Sequence, residues 1–149
     1  MGAGGADDER MARGLLNAIA PTAAAKGACN EGFLRPDSLL VVVVISDEDD
    51  VPDGCDGMTC ATNGSGGTPD DWFAEFKKHR PLTENVVVLS LIGRRANNPC
   101  GAVPASRLMR FTNFFGAHGY LGDVCAPSYD SFFESALPLI SSVCSSIPG

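Results

Sequence analysis

Basic residues are scarce in this sequence: 11 lysines and arginines stand against 18 aspartates and glutamates, giving a formal charge of −7 with no basic cluster to offset it. Such a chain repels phosphates, so nucleic acid and anionic lipid are disfavoured partners and a cation is the more natural ligand. Long apolar runs are also missing. The most apolar stretch, Leu39 to Ile45, is far shorter than the roughly 20 residues that span a bilayer, so this chain is not expected to insert in a membrane. The opening MGAGGADDERMARG has no apolar h-region and is no signal peptide. Histidine is limited to His79 and His118, both at expected helix ends, where a surface or capping charge is the ordinary role. No GxSxG elbow occurs, and no enzymatic activity is expected.

The six cysteines show neither the CxxC…CxxC nor the Cys/His spacing of a structural zinc site. An oxidising compartment is the better reading, which means a secreted, periplasmic or cell-surface protein whose export signal would lie outside this sequence. Six cysteines leave fifteen pairings open. Cys55 and Cys60 are close enough to close a small ring, which would stiffen the loop that carries them. Their spacing is wider than CxxC, which places a thiol oxidoreductase behind the other readings.

The stretch that organises the chain is Ser38 to Asp50, SLLVVVVISDEDD. Four consecutive valines without alternation predict a strand buried on both faces inside a parallel sheet. The acids that follow mark where it leaves the core. Binding sites in open α/β sheets collect at the carboxyl ends of strands, which makes Asp47 the leading site candidate. With Asp49, Asp50, Asp53 and Asp56 it could form a hard-cation site for Ca²⁺ or Mg²⁺, with Asp47 and Asp49 as ligands, although the spacing is not that of an EF-hand. The simpler alternative is a solvated acidic loop.

Asp7, Asp8 and Glu9 followed by Met11, Leu15, Leu16 and Ile19 predict a helix near 7–20, ended by Pro21. A loop containing Cys29 leads to the first strand, near 39–45. Residues 51–68 hold five glycines and nothing apolar enough for a core element, and so predict a long functional loop. Within it, Asn63-Gly64-Ser65 matches a glycosylation acceptor, a pattern frequent by chance. Thr68-Pro69-Asp70-Asp71 resembles a capping box opening a helix near 69–79, with Trp72, Phe73 and Phe76 inward. A second buried strand, near 85–92, precedes a helix near 104–115 that presents Leu108, Met109, Phe111, Phe114 and Phe115. A short strand near 120–124 precedes a last helix near 128–144, with Phe132, Phe133, Leu137, Ile140 and Val143 inward and Pro138 kinking or dividing it. Arg80, Arg94 and Arg95 read as surface partners of neighbouring acids. The whole predicts one α/β domain over 1–149, a Rossmann-like three-layer sandwich with a parallel sheet.

This order, with the phrase GFLRPDSLLVVVVISDEDD (Gly32 to Asp50), the later VVVLSLIG and a final helix carrying a cysteine, resembles the C-terminal part of a von Willebrand factor A-type domain of bacterial secreted or lipid-anchored proteins. The resemblance implies an adhesion or binding module with a protein or other extracellular ligand. In that family a metal ion is held by a DxSxS motif, a threonine and a later aspartate, whose place Asp47 takes. DxSxS occurs nowhere here, so the implied metal site is degenerate or incomplete. The alternative is a structural domain whose acidic loop is stabilised by calcium. The family topology pairs Cys100 with Cys125 and Cys29 with Cys144, beside Cys55 with Cys60. It also leaves the valine strand with an open edge, which implies a missing segment, a homodimer across that edge, or poor solubility of the isolated chain.

Overall fold

The computed structural model describes residues 10–35, 37–50 and 64–147. The valine-rich runs form strands, as β-branched side chains favour. β1 (Leu40–Ser46) pairs in parallel with β2 (Val86–Ile92), Val43 lying opposite Leu89, and β2 pairs in parallel with β3 (Gly119–Asp123), Ser90 lying opposite Leu121. The sheet order β1-β2-β3 puts β2 in the centre, and every residue of β2 is buried. Its one hydroxyl, Ser90, is satisfied by Thr112 at 2.7 Å. The fold is the expected α/β, Rossmann-like sandwich.

The helices are α1 (Met11–Ile19), the single turn α2 (Pro21–Ala24), α3 (Pro69–His79), α4 (Ser106–Asn113) and α5 (Asp130–Ser146). One face of the sheet, with Leu40, Val42, Val86 and Val88, is covered by Leu16 and Ile19 of α1, Trp72 and Phe76 of α3, and Phe111 and Phe115 at α4. The aromatic rings there meet edge to face, Phe76 and Phe115 at 5.2 Å between centroids. The other face, with Val87, Leu89 and Leu91, is covered by Phe132, Ala136 and Val143 of α5. α3 begins in the capping box that the sequence predicts: Asp71 N–H donates to Thr68 Oγ1, and Thr68 N–H donates to Asp71 Oδ2. Two glycines set how closely these layers approach. A Cβ on Gly93 would lie 2.0 Å from the Val103 carbonyl oxygen, and one on Gly122 would lie 2.3 Å from the Phe132 ring.

Several expectations are corrected. The first helix starts at Met11, because Arg10 is already non-helical, and the proposed capping acids 7–9 lie outside the described residues. Pro21 does more than end it, since it opens α2 at the first helical position. β1 is not buried on both faces: α5 sits over β2 and β3 and leaves Val41, Val43 and Ile45 exposed. Phe133 and Leu137 point outward, because the inward stripe of α5 runs through Phe132, Ala136 and Val143 instead. Pro138 sits inside one continuous α5 and does not divide it. Arg80 is a buried residue that holds backbone carbonyls.

Cys100 and Cys125 form a disulfide, with Cα atoms 5.4 Å apart. Cys29 and Cys144 do not pair and are exposed free thiols. The sheet separates them: the turn at Cys29 is tied to the α1 side through Asn30, whose side chain donates to the Ala18 carbonyl, whereas Cys144 rides on α5 across the sheet. Cys55 and Cys60 lie outside the described residues. No helix among the described residues is long and apolar enough to cross a membrane.

Candidate functional site at the exit and edge of β1

Beyond Ser46 the chain turns through four acids whose surroundings differ sharply. Asp47 is exposed, and its backbone carbonyl accepts the Val103 N–H at 2.7 Å. Asp49 is buried against the start of α4. Its Oδ2 accepts the Arg107 N–H at 2.9 Å and the Ser106 hydroxyl at 3.3 Å, while Oδ1 accepts the Leu108 N–H at 3.1 Å and the Asp50 N–H at 3.0 Å. Asp50, fully buried, faces α1: Oδ2 accepts the Ala12 N–H at 2.7 Å and the Ser65 hydroxyl at 2.6 Å, and Oδ1 accepts the Ser65 N–H at 2.8 Å.

Helix first turns carry unsatisfied N–H groups and a positive dipole end, and both are met by a carboxylate. Neither helix has a side-chain cap of its own, because Arg10 and Ala105 occupy the N-cap positions. Asp49 and Asp50 supply the caps from a distance. Arg13 completes the arrangement by donating its N–H to Ser65 Oγ at 2.7 Å and a guanidinium N–H to the Ser65 carbonyl at 2.9 Å. Arg107 stacks over the Trp72 ring at 4.7 Å and donates to the Gly67 carbonyl, which anchors the start of α3 to the start of α4.

The described acids, Asp47, Asp49 and Asp50, do not by themselves converge on an ion. Among the described residues no group of three or more His, Cys, Asp or Glu side chains could hold an ion, and both oxygens of Asp49 are engaged with helix N–H groups. Asp47 and Asp49 therefore part company, one in solvent and one in the interior. Asp53 and Asp56 lie outside the described residues. The trace these caps leave in the sequence is that the observed N-cap residues, Arg10 and Ala105, are not Ser, Thr, Asp or Asn.

The second feature is apolar. Along β1 burial alternates, with Leu40 and Val42 in the core and Val41, Val43 and Ile45 at 36%, 49% and 52% exposure. The last three share the α5 face, and β1 has no strand on its outer side among the described residues. Phe132 stacks on Tyr120 at 5.4 Å and lies over Gly122, which fixes that flank of α5 above β3. Phe133 and Leu137 fall about a quarter-turn or more farther round the helix. Both are exposed, Leu137 at 62%. Val41, Val43 and Ile45 thus form an exposed apolar strip on the α5 side of β1.

At the opposite end of the sheet, Arg80 ties the approach to β1 onto α3. Its guanidinium donates to the carbonyls of Arg35 and Ser38, and burial lowers its pKa from the ordinary value. The Cys100–Cys125 disulfide joins the loop after β2 to the residues after β3 at the carboxyl end. No family model, curated protein or solved structure matches the chain.

Proposed function

We propose that this chain is an extracytoplasmic binding module of von Willebrand factor A type, with a degenerate or incomplete metal position, that engages a protein partner along the open side of β1. The observation that carries this reading is the exposure of Val41, Val43 and Ile45 on a strand that has no outer neighbour among the described residues. An edge strand presents unpaired N–H and C=O groups, and proteins that do not use such an edge protect it with lysine, proline or a bulge. Leu39 to Ser46 contains no charge and no proline, and β1 pairs without interruption from Leu40 to Ser46. An added strand would take its affinity from the main chain and its selectivity from alternate side chains resting on that strip. The Cys100–Cys125 disulfide supports an oxidising setting, as does the likeness of Gly32 to Asp50 to secreted and lipid-anchored bacterial proteins.

The test is titration with labelled extended peptides of alternating apolar and polar residues, followed by anisotropy and by amide exchange. Saturable binding is expected, with new protection confined to β1, lost in Val43→Lys and kept in Asp47→Asn. If no peptide binds while the outer amides of β1 exchange freely, the reading fails.

A further inference from the structure

At the end of the sheet opposite the acids, the segment that leaves α3 and the loop that approaches β1 border a cavity of about 320 Å³, lined by Leu34, His79, Arg80, Pro81 and Leu82. We infer that this cavity binds a small monocarboxylate with a compact apolar body, the carboxylate meeting the Arg80 guanidinium and the body resting on Leu34, Pro81 and Leu82. The site is separate from the β1 edge and does not depend on the binding role proposed for it.

The charge of Arg80 calls for such a ligand. Arg80 is 3% exposed, so its guanidinium has given up most of its hydration. Two of its N–H groups donate to the carbonyls of Arg35 and Ser38, which accept the bonds but bring no net charge. Its Nε is buried and has no acceptor. A buried cation is ordinarily paired, because water no longer stabilises it and a lone interior charge is costly. Among the described residues no carboxylate lies within ion-pair distance of Arg80. Burial lowers its pKa, and Asp37 only partly offsets that effect from farther away. A carboxylate can meet a guanidinium through two parallel N–H···O bonds, which would supply the missing charge and an acceptor together.

The rest of the cavity selects the body and the charge number. Sites for small molecules are typically cavities of about 300–1,000 Å³ with apolar walls and a few polar groups, which is the make-up found here. Leu82 is 47% exposed, so a ligand packed on it takes apolar surface out of water. The chain is acidic as a whole, yet α3 ends in Lys77, Lys78 and His79 with Arg80 next, and these charges offset the negative end of the helix dipole that would turn an anion away. Glu75 already engages Lys78 and His79, which leaves Arg80 as the cation without a partner on this turn. One guanidinium answers one negative charge. A phosphate would bring a second into apolar surroundings with nothing to meet it.

The experiment uses the full chain and three probes: hexanoate, hexanol, which keeps the body without the charge, and acetate, which keeps the charge without the body. Binding is followed by NMR at the Arg80 Nε–H and at the methyl groups of Leu34 and Leu82. Hexanoate is expected to saturate, to shift all three signals together and to raise the melting temperature. Hexanol and acetate should each bind about tenfold more weakly or worse, and hexanol should leave the Arg80 Nε–H in place. Arg80→Lys keeps the charge but loses the planar fork, and should erase the preference for hexanoate over hexanol. Leu82→Trp provides the check if that variant does not fold: at an exposed position it fills the cavity, and it should abolish hexanoate binding with the melting temperature of the free protein kept. Absence of saturable hexanoate binding, equal affinity for hexanoate and hexanol, an Arg80 Nε–H that does not move, or binding indifferent to Leu82→Trp would each overturn the proposal. None of these outcomes bears on β1, since no probe is an extended peptide.

Discussion

Asp49 and Asp50 are neighbours in the chain and grip different helices: one carboxylate holds the first turn of α4 through Arg107 and Leu108, the other the first turn of α1 through Ala12. The two side chains diverge, and each meets a helix start that lacks a cap of its own.

Replacing Asp49 with alanine is expected to strip three N–H groups and a hydroxyl of their acceptor inside the protein, at a cost of about 2–4 kcal/mol. Asp49→Asn should cost less, because its carbonyl oxygen still accepts. Denaturant unfolding of the two variants beside the parent checks the order; equal stability of Asp49→Ala and the parent would refute the capping role.

Gly93→Ala is expected to destabilise by about 1–3 kcal/mol, since its methyl would meet the Val103 carbonyl oxygen at 2.0 Å and drive apart the segments that the Ala105 N–H to Gly93 carbonyl bond holds together. Gly101→Ala serves as a comparison, for a Cβ there meets nothing and the cost comes from its φ of +78° alone. Thermal melts should show both variants below the parent; a Gly93→Ala protein that melts with the parent would mean that the close approach is absent in solution.

Cys100 and Cys125 close a loop of 25 residues that contains α4. On the chain-entropy model, removing such a link costs about 3 kcal/mol. The double change Cys100→Ser with Cys125→Ser should lower the denaturant midpoint accordingly. Reductant should then have less effect on the double variant than on the parent.

Acid should loosen α3 first. Hydrogen bonds hold three of its surface carboxylates below their ordinary pKa: Asp70 through the Arg110 guanidinium, Asp71 through the Thr68 hydroxyl and N–H, and Glu75 through Lys78. A pKa lowered by folding contributes stability that is present above the unfolded value and lost as pH falls through the folded one. The melting temperature should therefore decline as pH passes below the ordinary carboxylate range. Asp71→Asn should flatten part of that decline. All three groups are at the surface, so added salt should shrink the contributions of Asp70 and Glu75, which depend on ion pairs, more than that of Asp71.

Much of the architecture is legible in the sequence because local signals agree with the fold. The valine runs and the Thr68 to Asp71 capping box emerge as expected, whereas the residues alone leave the cysteine pairings open and Cys100–Cys125 is only what the resemblance implies. What escapes is information that resides in other parts of the chain. Four unbroken valines indicate a strand suited to burial, but whether both faces are covered depends on where α5 settles, and Gly122 draws α5 toward β3 by leaving room for Phe132. The phase of α5 is ambiguous for a related reason: Phe133 and Leu137 are as apolar as Phe132 and Val143, so composition does not decide which stripe turns inward. The acids after β1 suggest an open site at a sheet edge, yet two of them serve helices whose starts lie 38 and 58 positions away.

Those long-distance caps bear on how the molecule folds. A helix with its own cap can flicker into existence before the rest of the chain is in order; α1 and α4, at 9 and 8 residues, are too short to persist alone, and their N-cap residues make no side-chain cap bond. Each acquires its anchor only when β1 arrives and presents its terminal acids. Their formation is thereby tied to sheet assembly, which favours a single concerted transition and predicts that peptides spanning either helix remain coil in water.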